Sequence, residues 1–386
     1  MTEYVRLGDV CDISAGQGAP QGDDMYCKVG GKPFIKAGNL EWLSSGGALD
    51  AIQHVSDEVV KSHKLHLYPK GSIVFAKSGM SCKKSFVYIL DKDCYIVSHL
   101  ACLTPKKIHS DFLKYYLQAH PPSELIKNES YPSIKLSDIS EIQLPLLPLE
   151  EQKRIAAALD KMSSVIAKRK RQIALLDEAA KSLFVEMFGD PVENPMGWDT
   201  VTVVDVCESI VGGGTPSKSH DEYYKGDIPW VTPKDMKSII ISDSKDHITE
   251  EAIQNSTTKL VPKDTVLMVV RSGILKHTLP VAITSRDVTL NQDMKAYITN
   301  EKTSPLYLLY FFKTMERKLL HKVKGTTADN LDFGMLKKLP YPLPPLDLQN
   351  LFAARIEALE AQRASCERGL KQMETAFAAM MQEYFE

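Results

Sequence analysis

A chain of 386 residues is too long for one hydrophobic core, so two or more domains are expected. With 44 % hydrophobic and 25 % charged residues it has ordinary globular usage, and no apolar run of ~18 residues suggests a membrane span. A formal net charge of −2 neither favours nor excludes nucleic acid, because local patches decide that.

The opening MTEYVRLGDV has no basic stretch followed by an apolar one, so no secretory signal is expected. Seven cysteines without a regular framework fit a reducing compartment, and the expected location is cytoplasmic. Residues 1–144 read as a first mixed domain. It has short β-branched runs such as GSIVFA (71–76), an apolar aromatic helix FLKYYLQ (112–118), and loops rich in Gly, Pro, Ser and Asn. Residues 61–107 hold nine lysines against two acids. Polar groups interleave with them in KSGMSCKKS (77–85), a mixture suited to phosphates and base edges. The candidate contacts here are Lys36, Asn39, Lys77, Ser78, Lys83, Lys84, Ser98 and His99. Cys82, Cys94, His99 and Cys102 are the nearest approach to a metal cluster, but their spacing matches no zinc signature and reduced core cysteines are expected.

Residues 145–190 read as a long helix. PLLPLEE places proline before the first turn and acids within it, and FGDP supplies a stop at Gly189 and Pro191. Ile155, Leu159, Met162, Ile166, Arg169, Ile173, Leu176, Ala180, Leu183 and Met187 step by four and three, a heptad seam. The alternative is a helix lying on a globular core, but the intervening faces are charged, as in AKRKRQ. At ~1.5 Å per residue the helix would be on the order of 57 Å long, a spacer between domains.

Residues 191–340 read as a second mixed domain, entered through the Pro-broken linker VENPMGW (192–198). VGGGTPSKS (211–219) lacks the Gly-Lys-Ser/Thr ending of a P-loop, so its glycines are expected to let backbone approach another surface closely. Residues 259–324 hold twelve Lys or Arg against five acids. Candidate contacts are Thr215, Ser217, Lys218, Lys234, Arg271, Ser272, Lys276, His277, Asn291 and Gln292. Residues 341–386 form a second long helix whose seam is Phe352, Ile356, Leu359, Arg363, Cys366, Leu370, Met373, Phe377, Met380 and Tyr384.

Each seam position of the second helix stands 197 residues after one of the first. The repeat continues through the domains: RLGDVCDI (6–13) answers TVVDVCES (202–209), GKPFIKAGNL (31–40) answers GDIPWVTPKDM (226–236), and YPKGSIVFAKSG (68–79) answers VPKDTVLMVVRSG (261–273). A duplicated unit of domain plus long helix is therefore expected, far longer than any solenoid period. The fold class is α+β: two similar mixed domains joined by two antiparallel coiled-coil helices about a pseudo-twofold. No Asn-Pro-Pro-aromatic tetrad, glycine motif for S-adenosylmethionine, Walker sequence or nuclease triad is found, so a non-catalytic protein is expected.

GGGTPS, YYKGDIPWVTPKDM, LNQDMKAY (290–297), LPLLPLEEQKRIAAALD, LFVEMFGDP (183–191) and YPLPPLDLQ together resemble the specificity subunit of type I restriction–modification enzymes, over nearly the whole chain. The resemblance implies two target recognition domains, each reading one half of a bipartite DNA sequence, with helices that fix the unread spacer. It implies two methyltransferase subunits and two ATP-driven restriction subunits as partners. No cofactor would bind this chain directly; S-adenosylmethionine, ATP and Mg would belong to the partners. The first domain departs from the pattern, with KPFIKAGNL for the Ile-Pro-Trp stretch and VSHL (97–100) where the second has LNQD. Two other readings remain open: a coiled-coil protein adaptor that binds no DNA, and the recognition subunit of a methylation-only defence system.

Overall fold

The computed structural model describes residues 4–27, 30–323 and 329–385. The chain divides into two compact units, Met1–Arg169 with Gly369–Glu386, and Lys170–Arg368. Each unit owns part of both long helices, which span Leu149–Phe188 and Leu346–Phe385. With 40 residues apiece, each helix is about 60 Å long.

In the first unit an antiparallel sheet orders Cys11–Ala15, Leu100–Pro105, Ile73–Ala76 and Val87–Ile89. A smaller sheet centres on Lys32–Ile35, antiparallel to His54–Val55 and parallel to Tyr95–Ile96. Tyr4–Arg6 pairs with Gln143–Pro145, closing the domain where the helix begins. The second unit repeats this plan with one strand more. Its main sheet orders Cys207–Gly212, Met294–Thr299, Val266–Val269, Val281–Thr284 and Ile240–Ile241, the last added in parallel. Ile228–Val231 lies between antiparallel Asp246–Ile248 and parallel Thr289–Leu290, and Thr200–Thr202 pairs with Pro340–Pro342.

Both helices start later than their proline-led approaches, because Pro145 and Pro342 are still in strands. The first stops at Phe188, followed by Gly189 at φ +79°, a left-handed conformation that glycine adopts without a Cβ clash. Trp198, from the linker, donates its indole N–H to the Phe188 carbonyl at 3.0 Å and satisfies one of the helix's terminal acceptors.

Every seam position is buried or half-buried, while the residues between are mostly exposed. Within the second unit the helices run in opposite directions, since Phe184 packs on Phe352 at 5.6 Å and Asp177 meets Arg363 at 3.2 Å. Within the first unit Phe377 and Phe385, from the end of the second helix, pack on Tyr115 and Phe112 at 6.1 and 5.3 Å, and Ile155 and Leu159 join the same core. The seam arginines behave differently. Arg363 is only 16 % exposed and is held among Asp177, Glu360 and Glu367, whereas the Arg169 guanidinium lies over Gly369, where a Cβ would come within 3.5 Å of it.

The glutamine that the two helices share anchors each one to its domain. Gln152 is 1 % exposed and Gln349 is fully buried. Gln152 accepts from the backbone N–H of His109 at 2.8 Å, at the start of the helix Ser110–Ala119, and donates to the Leu147 carbonyl. Gln349 accepts from the N–H of Ser304, at the start of Pro305–Leu320, and from the Thr303 hydroxyl, both at 2.9 Å. Its amide donates to the carbonyls of Pro344 and Lys302. A single side chain thus satisfies an orphan donor of the domain helix and a carbonyl at the long helix's entrance.

Candidate nucleic-acid interface

The parallel strand pair in each unit sends two loops off the same end of its sheet. In the first unit Lys36 follows Ile35 and Ser98–His99 follows Ile96, with the Val97 N–H bonded to the Ile35 carbonyl at 2.9 Å. In the second, Thr232 follows Val231 and Asn291 follows Leu290, with the Asn291 N–H bonded to the Val231 carbonyl at 3.0 Å. A third loop leaves the main sheet beside them: the Lys77 N–H meets the His99 carbonyl at 2.9 Å, and the Val270 N–H meets the Asp293 carbonyl at 2.9 Å. The glycine loops close the group. A Cβ at Gly16 would overlap the Val97 and Ile96 carbonyls, and one at Gly213 would overlap those of Asn291 and Leu290. The surface these glycines approach is therefore the chain's own backbone.

The loops match in backbone and differ in side chains. Ser78 bridges Ser133 as Arg271 bridges Asn330, so Arg271 occupies the position of Ser78, and Val270 that of Lys77. At that position Ser78 Oγ meets His99 Nδ1 at 2.8 Å, while Arg271 Nε donates to Asp293 Oδ1 at 2.6 Å. The neighbouring turn is tied by Asn39 Oδ1 accepting from the Lys36 N–H at 2.8 Å in one unit, and by Asp235 Oδ2 accepting from the Thr232 N–H at 2.8 Å in the other. Two copies of one latch carry different donors and acceptors, as surfaces for different ligands would.

The sequence-derived candidates fall into three groups. Ser78, Ser98 and His99 lie at these loops in the first unit, and Thr215 and Gln292 at those of the second; Gln292 and Thr215, on facing loops, share a hydrogen bond, and the Ser98 N–H donates to the Gln17 carbonyl at 2.7 Å. Lys218, Lys234 and His277 are exposed, as is Ser217, which bonds Ser219 at 2.7 Å; Ser272 caps the Ile274 N–H. Most of the remaining side chains are occupied within their own unit. Lys36 donates to Gln53 at 2.8 Å and sits 4.1 Å over the Tyr26 ring. Lys83 pairs with Glu129, Lys84 with Glu41 at 2.6 Å, Arg271 with Asp293, and Lys276 with Asp329 at 3.9 Å. Such exposed pairs hold weakly and can exchange for phosphate. Lys77 is half-buried and has no ion pair among the described residues.

One candidate, Asn291, is turned inward. Asn291 is 7 % exposed, and its amide both donates to Asp293 Oδ2 and accepts from the Asp293 N–H. It builds the turn that presents Gln292, and little of its own side chain is exposed. Two further side chains, Met80 and Tyr131, stand out from the same loops, 68 % and 81 % exposed. They flank the Ser78 latch, Met80 next to Gly79 and Tyr131 just before Pro132, whose carbonyl accepts from the Gly79 N–H at 3.0 Å. The only sequence signal for Tyr131 was an aromatic beside proline, and Met80 had none. Cys82, Cys94 and Cys102 are buried among apolar residues, and burial pushes the Cys102 thiol up to about 12 and Cys94 higher still.

A family model described as the type I restriction modification DNA specificity domain matches residues 2–177 and again 195–374. The chain belongs to this family. The specificity subunit of the Escherichia coli enzyme EcoR124I/EcoR124II is 29 % identical over 266 residues, covering 66 % of this chain and 65 % of the relative. This chain thus spans just under two thirds of that relative's length. The MjaIX specificity subunit of Methanocaldococcus jannaschii is 23 % identical over 336 residues, 80 % of this chain and 75 % of the relative. The crystal structure of a type I restriction–modification S subunit from M. genitalium aligns with a TM-score of 0.62 at 12 % identity, covering all of this chain and 96 % of that one, which establishes a shared fold. Among the described residues no helix is long and apolar enough to cross a membrane.

Proposed function

We propose that this chain is the DNA-reading subunit of a type I restriction–modification complex, each unit reading one half of a bipartite, asymmetric target. The observation that carries the reading is the matched set of loops with diverged chemistry, Ser78–His99 in one unit and Arg271–Asp293 in the other. Equal backbone frames favour equivalent docking on two half-sites, and unequal side chains favour different bases. Residues 1–144 and 191–340 act as the two target recognition domains. The helical regions 145–190 and 341–386 set the spacer and recruit two methyltransferase subunits, with two restriction subunits joining the full complex. S-adenosylmethionine, ATP and Mg act on those partners, and this chain supplies only recognition.

The test is duplex binding titrated with salt, using the full chain with and without its methyltransferase partner. A log–log slope of several units and preference for one sequence over its scramble are expected. Partner binding with no affinity for duplex even at low salt would mean a coiled-coil adaptor instead.

A further inference from the structure

The second unit carries a pair of cations that the first lacks. In the first unit, Ala15 faces Ala101 across the sheet, and a short helix runs from Leu136 to Ser140. The matching positions in the second unit are Gly212 facing Lys295, and a short helix running from Phe333 to Lys337. Four uncharged positions have become two lysines, an aromatic ring and a glycine. Lys295 Nζ lies 4.6 Å and Lys337 Nζ 4.4 Å from the centroid of the Phe333 ring, so the two ammoniums are at most about 9 Å apart. Gly212 makes room for the arrangement, since a Cβ there would come within 2.7 Å of Lys295 Nζ.

Among the described residues no carboxylate pairs with this charge. Neither lysine has an ion pair among the described residues, and the adjacent Asp332 carboxylate accepts from the Met335 N–H at 2.6 Å. A ring quadrupole is a weak substitute for a counter-ion. Burial, and then the charge of Lys337, lowers the affinity of Lys295 for its proton, as expected for cations held together without an anion. The pair also adjoins the reading loops of its own unit. Lys295 follows Asp293 by two residues, and Gly212 precedes Gly213, which packs on the Leu290 and Asn291 carbonyls.

We propose that Lys295 and Lys337, stacked on Phe333, grip phosphodiester oxygens of the duplex at the half-site read by the second unit. The proposal rests on the DNA-reading function above. Lysine suits the task as a point charge on phosphate, and the ring fixes where each charge is presented. Because the first unit has alanine, leucine and serine at these positions, the grip is one-sided and strengthens only one half of the complex.

The test uses the full chain with Lys295→Met, Lys337→Met and the double substitution, each keeping the aliphatic stem on Phe333. Each single change should weaken duplex binding on the order of tenfold and reduce the salt slope by about one, equally on target and scrambled sequence. Lys295→Arg and Lys337→Arg should retain most of the binding. In the unmodified chain, duplex should protect both lysines from acetylation, whereas inorganic phosphate at equal ionic strength should not. A double Met variant with unchanged affinity and slope would overturn the proposal, leaving the lysine stems as a cover for Phe333. Equal protection by inorganic phosphate would also overturn it, because the site would then be a general anion site. If the unmodified chain binds no duplex, the DNA-reading function fails first and this proposal with it.

Discussion

Replacing Gln349 by leucine should loosen the second unit's hold on its helix while nearly preserving side-chain volume. Four hydrogen bonds disappear: those accepted from the Ser304 N–H and the Thr303 hydroxyl, and those donated to the Pro344 and Lys302 carbonyls. Thr303 keeps a partner in the Tyr341 hydroxyl at 2.6 Å, so its loss is small. The buried Ser304 N–H and Pro344 carbonyl lose their side-chain partner, at about 1–3 kcal/mol each, and a buried leucine returns part of that. A net loss of about 2–4 kcal/mol follows, or roughly 5–15 °C in the melting of a unit this size. Gln152→Leu breaks only the bonds to His109 and Leu147, so it should cost about half as much and act on the first unit. Thermal and urea unfolding of both variants, followed by circular dichroism, would measure the two losses. Changes within ~0.5 kcal/mol of the unmodified chain, or a larger loss for Gln152, would refute the anchoring role.

Gly16→Ala and Gly213→Ala should each displace a reading loop at a cost of about 1–3 kcal/mol, because the new methyl overlaps backbone carbonyls; Gly16→Ala should relax base preference in one half-site and Gly213→Ala in the other, as scored on base-substituted targets. Among the basic candidates at the DNA surface, Lys77→Met should reduce the salt slope of duplex binding by about one, while Glu41→Gln and Glu129→Gln should tighten non-specific binding by releasing Lys84 and Lys83. Affinities that stay constant across all of these charge changes would mark the patch as an ordinary solvated surface. Inserting seven residues between Ala174 and Leu175 and again between Lys371 and Gln372 keeps both heptad seams in register. The addition of ~10.5 Å of helix should move the best spacer by about three base pairs, with weaker binding from the added twist; a folded variant with the original optimum would show that something other than the helices sets the distance.

The helices were legible because a seam needs only periodicity, and every position from Ile155 to Met187 and from Phe352 to Tyr384 that the pattern picked out is buried or half-buried. The shared glutamine was visible as a repeat, but its partners, His109 and Ser304, stand more than 40 residues upstream, and only tertiary packing brings them to it. The loops were legible as regions but not in register. KSG and RSG invite matching Lys77 with Arg271, yet the second copy holds one more residue between strand and turn, and the backbone bridges match Arg271 with Ser78. Asn291 illustrates the same limit. Its side-chain type suits adenine, but a residue that follows a buried strand and precedes Asp293 can spend its amide on the turn, and here it does. Charge counts located the basic stretches but could not reveal that Lys83, Lys84, Arg271 and Lys276 already face carboxylates.

The proposed function requires two diverged units within one chain to read two different half-sites. Sequencing the methylated adenines in a host that carries this gene together with its methyltransferase gene tests it most directly. One methylated motif is expected, made of two unlike specific segments separated by a gap of constant length and arbitrary sequence, and absent when this gene is removed. A contiguous motif, two identical segments, or methylation that persists without this chain would contradict it.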